Sequence, residues 1–322
     1  MKSHRAFAVS AAFALLMGAC SGSDGGSASG ASDKDGLNAE VASFDLAVGN
    51  PARIIVGVLS DDRRFLVFGT VQMRFAYLGT KQDNQVGDYG KAVTGRFLPV
   101  HGTPPPSPLP TEPVLMADSR GVYAATAGFA KAGFYQVEVT AKMAGKERKA
   151  TAALAVNEKH SVPGIGDPAL PTENLTVAST DAPKGAIDSR ASGAAGEVPD
   201  AHLHQTTIAA ALAAQRPAVV VFSTPTFCQS QFCGPVTDLV GDLARTYADR
   251  ASYVHVEIWR DFQNQTINRA AADWLLREGN LNEPWVFVIG SDGRVAARFD
   301  NLATQEELEP IIRDLPVIGP AT

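Results

Sequence analysis

The chain has 322 residues, room for about two domains, and its 45% hydrophobic content excludes a fully disordered chain. The formal net charge is −6 and the pI is near 5.5; Lys and Arg cluster no further than KERK at 146–149, which leaves nucleic acid no electrostatic footprint. Only three cysteines occur, Cys20, Cys228 and Cys233.

Lys2 and Arg5 precede an apolar stretch from Ala6 to Met17, and Gly18-Ala19 stand before Cys20. A charged start, a short apolar core and small residues ahead of a cleavage point are the parts of a secretory signal. Roughly twelve apolar residues are too few to cross a hydrocarbon core that takes about 20. The string LLMGAC resembles a bacterial lipobox. The resemblance implies a lipoprotein signal peptide at 1–19, with Cys20 as the first mature residue and the carrier of the lipid (palmitate among its acyl chains). It also implies a protein anchored to the cell membrane on its extracytoplasmic side, in the bacterial cell envelope. The alternative is an ordinary signal peptide in which Cys20 is incidental. Residues 20–42, opening with SGSDGGSASGASDKDG, read as a flexible tether.

From 43 to 157 short apolar runs (Ile54 to Leu59, Phe65 to Phe68) give way to strict alternation: Val71, Met73, Phe75 and Tyr77 interleave with Gln72, Arg74 and Ala76. Period two predicts half-buried strands. Past a Pro-rich exposed loop at 103–113, further strands are predicted at 121–127, 134–142 and 149–156. AGFYQVEV at 132–139 resembles the Gly-x-Tyr approach to a late strand of immunoglobulin-like domains, and about seven short strands suit that all-β sandwich. No Cys or Trp pair accompanies it, and the architecture is silent on function. Residues 158–199, rich in Pro, Gly, Ser and Ala, read as a long linker partly draped over the next domain.

Residues 200–322 carry the chemistry. The predicted order is a short helix at 206–214, a strand at 218–222, a turn with both remaining cysteines, and an amphipathic helix from Val236. A strand at 252–259, a helix at 266–278, a hairpin (285–289 and 294–299) around Gly290-Ser291-Asp292-Gly293 and a helix at 305–315 complete it. The unbroken run Ala218 to Phe222 predicts a central parallel strand covered on both faces. Cys228 and Cys233 then lie at a strand-to-helix junction, where unpaired N–H groups and the helix dipole favour a thiolate.

This order, with its cysteine turn and the proline before the hairpin, resembles a thioredoxin-like domain of the α/β class over roughly the last 120 residues. The resemblance implies that Pro284 is cis and aligns an extended substrate opposite the attacking thiol. Two departures stand out. FCQSQFCGPV has four residues between its cysteines where thioredoxins have two, so either Cys233, in CGPV, or Cys228 occupies the attacking position. Val221 stands where the family has a buried acid. His255 and Glu257, on the strand beside the cysteine strand, are the candidates to take a proton from the resolving thiol; for His255 the bland alternative is a hydrogen-bonded core residue.

The function expected is thiol–disulfide exchange on extracytoplasmic protein thiols or disulfides, with no cofactor, no resident metal and no nucleic-acid partner. Three alternatives stand beside it. One is a non-enzymatic envelope binding module whose bridge only pins the turn, as oxidising compartments allow. A second is copper delivery, with His202 or His204 joining the cysteines in a soft-metal site. The third is a peroxiredoxin-like peroxidase, whose pattern Pro225, Phe227, Ser230, Cys233 and an arginine such as Arg298 nearly resemble, with Pro225 one residue too far from Cys233.

Overall fold

Alternation sets the first half of the chain. Ten strands follow one another: β1 (Leu37–Val41), β2 (Leu46–Ala47), β3 (Ala52–Ser60), β4 (Phe65–Val67), β5 (Thr70–Gly79), β6 (Val93–Pro99), β7 (Val114–Met116), β8 (Gly121–Ala127), β9 (Gly133–Met143) and β10 (Lys146–Asn157). The computed structural model describes residues 36–49, 51–81, 85–192, 197–228 and 230–318; the signal-like segment, Cys20, most of the tether and Gln229 lie outside them. β1 falls inside the stretch read as tether: Leu37, Ala39 and Val41 turn inward while the segment pairs antiparallel with β3.

The ten strands form one sheet, ordered β2-β10-β9-β5-β6-β8-β3-β4-β7, with β1 also on β3. All pairings are antiparallel except β10 with β2. Ile54, Val56 and Val58 of β3 share a buried core with Met73, Tyr123, Val137 and Val139. The Tyr123 hydroxyl, enclosed in that core, donates to the Phe68 carbonyl at 2.6 Å, as a buried phenol requires.

The second half adds α1 (Ile208–Ala213), β11 (Ala218–Ser223), α2 (Cys233–Thr246), β12 (Ser252–Glu257), β13 (Trp259–Asp261), β14 (Thr266–Ile267), α3 (Arg269–Leu275), β15 (Trp285–Ile289), β16 (Val295–Asp300) and α4 (Gln305–Arg313). Thr207 caps α1, its hydroxyl accepting from Ala210 N at 3.0 Å. A four-stranded mixed sheet runs β12-β11-β15-β16, with β11 parallel to β12 and antiparallel to β15. The hairpin β15–β16 closes where expected, on Gly293 at φ +74°, a conformation that favours glycine. Every residue of β11 is buried. Val219 and Val221 face one core, Ala218, Val220 and Phe222 another, and each such valine contributes about 1.5–3 kcal/mol by burial.

The fold class differs from the expected pair of an immunoglobulin-like sandwich and a separate α/β thioredoxin-like domain. Strand accounts for 37% of the structure and helix for 17%, so β structure sets the architecture. The first half is a single ten-stranded sheet, and among the described residues only four α-helices occur. Nor is the C-terminal part a distinct α/β domain, because Lys34–Thr322 is one compact unit. The physical reason is a shared core: Ile55, Leu98, Val100 and Val122, on the outer face of the large sheet, are buried together with Val219, Val236, Leu239, Leu243 and Leu308. Polar ties cross the same junction. Arg53 Nε donates to Glu307 Oε1 at 2.7 Å and its Nη2 to the Leu302 carbonyl at 2.8 Å, and Phe44 N donates to Asp300 Oδ2 at 2.6 Å. Segment 158–192 is held as well: Gly166 N and Ala169 N donate to the Val295 and Gly293 carbonyls, and Val162, Ala169, Asp188 and Ser189 are buried.

A candidate thiol–disulfide site

β11 ends at Ser223 and α2 begins at Cys233; the turn between them carries a disulfide joining Cys228 to Cys233, with Cα atoms 6.0 Å apart. The two sulfurs are unequal. Cys233 is fully buried, the first residue of α2, whereas Cys228 is half-buried. The N-cap residue of α2, Phe232, offers no side-chain cap. Instead Cys233 N donates to Cys228 Sγ at 3.4 Å, and Ser230 Oγ lies at 3.4 Å from the same sulfur. Cys228 Sγ thus fills the place of a capping oxygen, where a helix N-terminus favours negative charge. Arg120, directly ahead of β8, donates to the Gln231 side chain and ties the turn to the large sheet.

Glu283–Pro284 is a cis peptide, as the resemblance implied. The pairing of Phe222 with Trp285 places Pro284 across from Ser223, at the base of the turn, and its carbonyl accepts from Asn301 N. A cleft lined by Phe44, Ser230, Trp259, Ile267, Leu281 and Glu283 adjoins the turn. Phe227, beside Cys228, stacks on Phe262 with ring centroids 4.0 Å apart. Phe262 is 42% exposed, an uncommon state for a large apolar side chain.

Glu257 and His255, both read as proton acceptors, are buried on β12. Glu257 accepts from Ser189 N at 2.7 Å and Trp259 N at 3.3 Å; burial pushes its pKa up. His255 points elsewhere. Its Nε2 lies 3.0 Å from Ser223 Oγ and 3.2 Å from the Ser223 carbonyl. Ser223 Oγ is 2.6 Å from Thr237 Oγ1, which donates to the Cys233 carbonyl at 2.7 Å. This chain of hydrogen bonds ends on the backbone of Cys233, not on its sulfur.

Two residues escaped the sequence reading, Glu283 and Asp188. Glu283 is pushed up to about 8, by burial first and then by the Glu257 carboxylate, against a backbone hydrogen bond from Thr224; its Oε2 is buried and without a hydrogen-bond partner. Asp188, in the linker, carries a bidentate pair with Arg190 (2.7 and 3.0 Å). Burial opposes its charge, yet the paired Arg190 guanidinium holds the carboxyl well below the usual carboxylate range. His204 is fully enclosed against His255, with ring centroids 5.1 Å apart. An acid one proline ahead of the apolar strand WVFVI was the one available signal for Glu283; Asp188 had none.

The metal set that joined His202 or His204 to the cysteines is not assembled. His202 lies beside Gly241 in the second half of α2, and among the described residues the cluster of potential ligands is Asp188, His204 and His255, without a cysteine. Arg298, the candidate for a peroxidase, is committed to the Asp45 carboxylate at 2.9 Å, to the Asp45 carbonyl at 2.7 Å and to the face of Trp285.

Because Glu283 keeps its proton in the fold but loses it above pH 4.5 when unfolded, its contribution is fully present below that pH. It is lost as pH rises through about 8. Glu283→Gln should therefore flatten the stability profile and leave the variant more stable than the parent at pH 8 by on the order of a few kcal/mol. Urea midpoints at pH 5 and pH 8 check this; an equal difference between the two proteins at both pH values would refute it.

Among the described residues no helix is long and apolar enough to cross a membrane. No protein-family model matches the chain and no curated protein is similar to it, so what can be said of its function rests on the chemistry of this turn.

Proposed function

We propose that the chain is a thiol–disulfide oxidoreductase, lipid-anchored through Cys20 outside the cytoplasm, which exchanges disulfides with envelope proteins through Cys228 and Cys233. The observation that carries this reading is the asymmetry of the pair. The half-buried sulfur of Cys228 receives the N–H that opens α2, while Cys233 is sealed beneath it. An accessible sulfur facing a helix N-terminus is where a thiolate is stabilised and attack is possible. It assigns Cys228 the attacking role and Cys233 the resolving one.

In the oxidising direction a substrate thiolate attacks Cys228 Sγ. The bond to Cys233 breaks, its electron pair leaves on Cys233, and a mixed disulfide forms. Cys233 takes up a proton, for which the protonated member of the Glu257/Glu283 pair is the store. A second substrate thiolate then attacks the substrate sulfur of the mixed disulfide and releases Cys228. The substrate is oxidised by two electrons and the cysteine pair is reduced. The cleft between Phe44, Trp259 and Leu281 and the exposed Phe262, stacked on the half-buried Phe227, suit an extended, partly apolar peptide.

The test is the reduction potential of the pair, by thiol trapping and intact mass across a redox buffer series. A value between about −120 and −270 mV places the pair among exchange catalysts. A value below about −300 mV marks an inert bridge, and the protein is then a binding module with a pinned turn, a role that the complete burial of Cys233 would suit.

A further inference from the structure

Beneath the first turn of α2 three polar side chains meet from distant parts of the chain: Asp188 in the linker, His204 ahead of α1 and His255 on β12. All three have 0% exposure. The direction of every hydrogen bond around His255 can be worked out. Thr237 spends its one hydroxyl proton on the Cys233 carbonyl, so Ser223 must donate to Thr237 across their 2.6 Å contact. Ser223 Oγ is then an acceptor toward His255 Nε2, as is the Ser223 carbonyl. Nε2 therefore carries the hydrogen, and in the neutral ring Nδ1 is a bare lone pair. That lone pair has no hydrogen-bond partner and faces Asp188 Oδ2, another acceptor, at 3.5 Å. His204 Nε2 lies 3.5 Å from the same oxygen, and neither ring nitrogen of His204 makes a hydrogen bond.

Two unpartnered imidazole rings and a carboxylate oxygen, enclosed and gathered at one point, are costly to leave as they are. A cation resolves the conflict at a stroke. We propose that Asp188 Oδ2, His204 Nε2 and His255 Nδ1 bind a divalent first-row transition-metal ion, with Zn2+ the best match. The three donor atoms lie within 4.8 Å of one another. The two 3.5 Å edges are close to those of a tetrahedron with bonds of about 2.0–2.1 Å, the usual span for zinc on imidazole and carboxylate. The outer shell is in place. His255 gives its other N–H to the Ser223 carbonyl and hydroxyl, and Asp188 is oriented by Arg190, whose Nη2 lies 2.7 Å from Oδ2 and whose Nε lies 3.0 Å from Oδ1. These are the supports that metal-bound histidines and carboxylates receive. The ion would clamp the linker, the approach to α1 and β12 together under the helix that carries the cysteines, without touching either sulfur. Its burial implies capture during folding and slow exchange afterwards.

The test uses the full-length chain, unfolded, stripped with chelator, refolded with Zn2+ or without it, and passed through gel filtration before metal analysis. About one zinc per chain is expected. A Cys228→Ser/Cys233→Ser double variant should retain it; His204→Gln and His255→Gln should lose at least nine-tenths of it. Co2+ in place of Zn2+ should give visible ligand-field bands without a thiolate charge-transfer band, a readout on the unsubstituted protein that stands even if the histidine variants fail to fold. Substoichiometric zinc in the refolded parent, zinc that depends on the cysteines, or a thiolate band in the Co2+ spectrum would each overturn the proposal.

Discussion

Cys233→Ser should accumulate as mixed disulfides with envelope proteins, whereas Cys228→Ser should form none and both should lose turnover to background. Removing the resolving thiol leaves Cys228 able to attack but with no internal partner to release the adduct. Removing Cys228 leaves a thiol with no accessible surface. Stability acts as the internal control. Opening a loop this short costs about 2 kcal/mol in the chain-entropy account, and the cost is the same whichever cysteine is replaced. Non-reducing electrophoresis after acid quenching, read beside urea midpoints, separates the roles. Equal destabilisation with no adduct in either variant would sink the exchange reading and leave the structural one.

Ile55→Ala should destabilise the whole molecule by about 2–5 kcal/mol, the usual cost of truncating an enclosed isoleucine. The informative part is where the loss is seen. All three tryptophans, Trp259, Trp274 and Trp285, lie in the second half of the chain, while Ile55 lies on β3 in the first. Because Ile55 is buried with Val219, Val236 and Leu239, its truncation should move the tryptophan fluorescence transition and the far-UV transition together. Leu239→Ala, made from the other side, should do the same. A tryptophan midpoint indifferent to Ile55→Ala would show two independently unfolding parts.

That shared core also explains which features could be read from the sequence. Strand β11 was plain because AVVVF is apolar without interruption and enters from Pro217; the structure buries it on both faces. The hairpin was equally plain from Gly290 to Gly293. What could not be read was the destination of Ile55, Leu98 and Val122. Alternation shows that a strand has an inner face, but in RIIVGV both faces are apolar, and nothing local says that the second face belongs to helices much later in the chain. Two separable domains were expected for that reason. Smaller misses share the cause. Residues 266–267 pair with β13 before α3 begins, since a two-residue strand leaves no period to detect. At the site, Cys228, Cys233 and Pro284 were identified from their types and order. His255 was found but its partners were not, because they come from the end of β11, from the linker and from the segment ahead of α1. Asp188 and Glu283 sit in polar-looking strings, DSR and NEP, and become unusual only when the fold removes their water.

The capping of α2 by Cys228 Sγ has a thermodynamic consequence. Folding and reduction form a closed cycle, so anything that favours the dithiol in the native state more than in the unfolded chain must make the folded protein the stronger oxidant by the same free energy. In the disulfide the sulfur that takes the Cys233 N–H is a weak acceptor. On reduction it becomes an anion at the same post, and that hydrogen bond strengthens. The helix start is therefore better satisfied with the bridge open than closed. Resistance to unfolding, measured separately on the two redox forms, would report the driving force for passing the disulfide on.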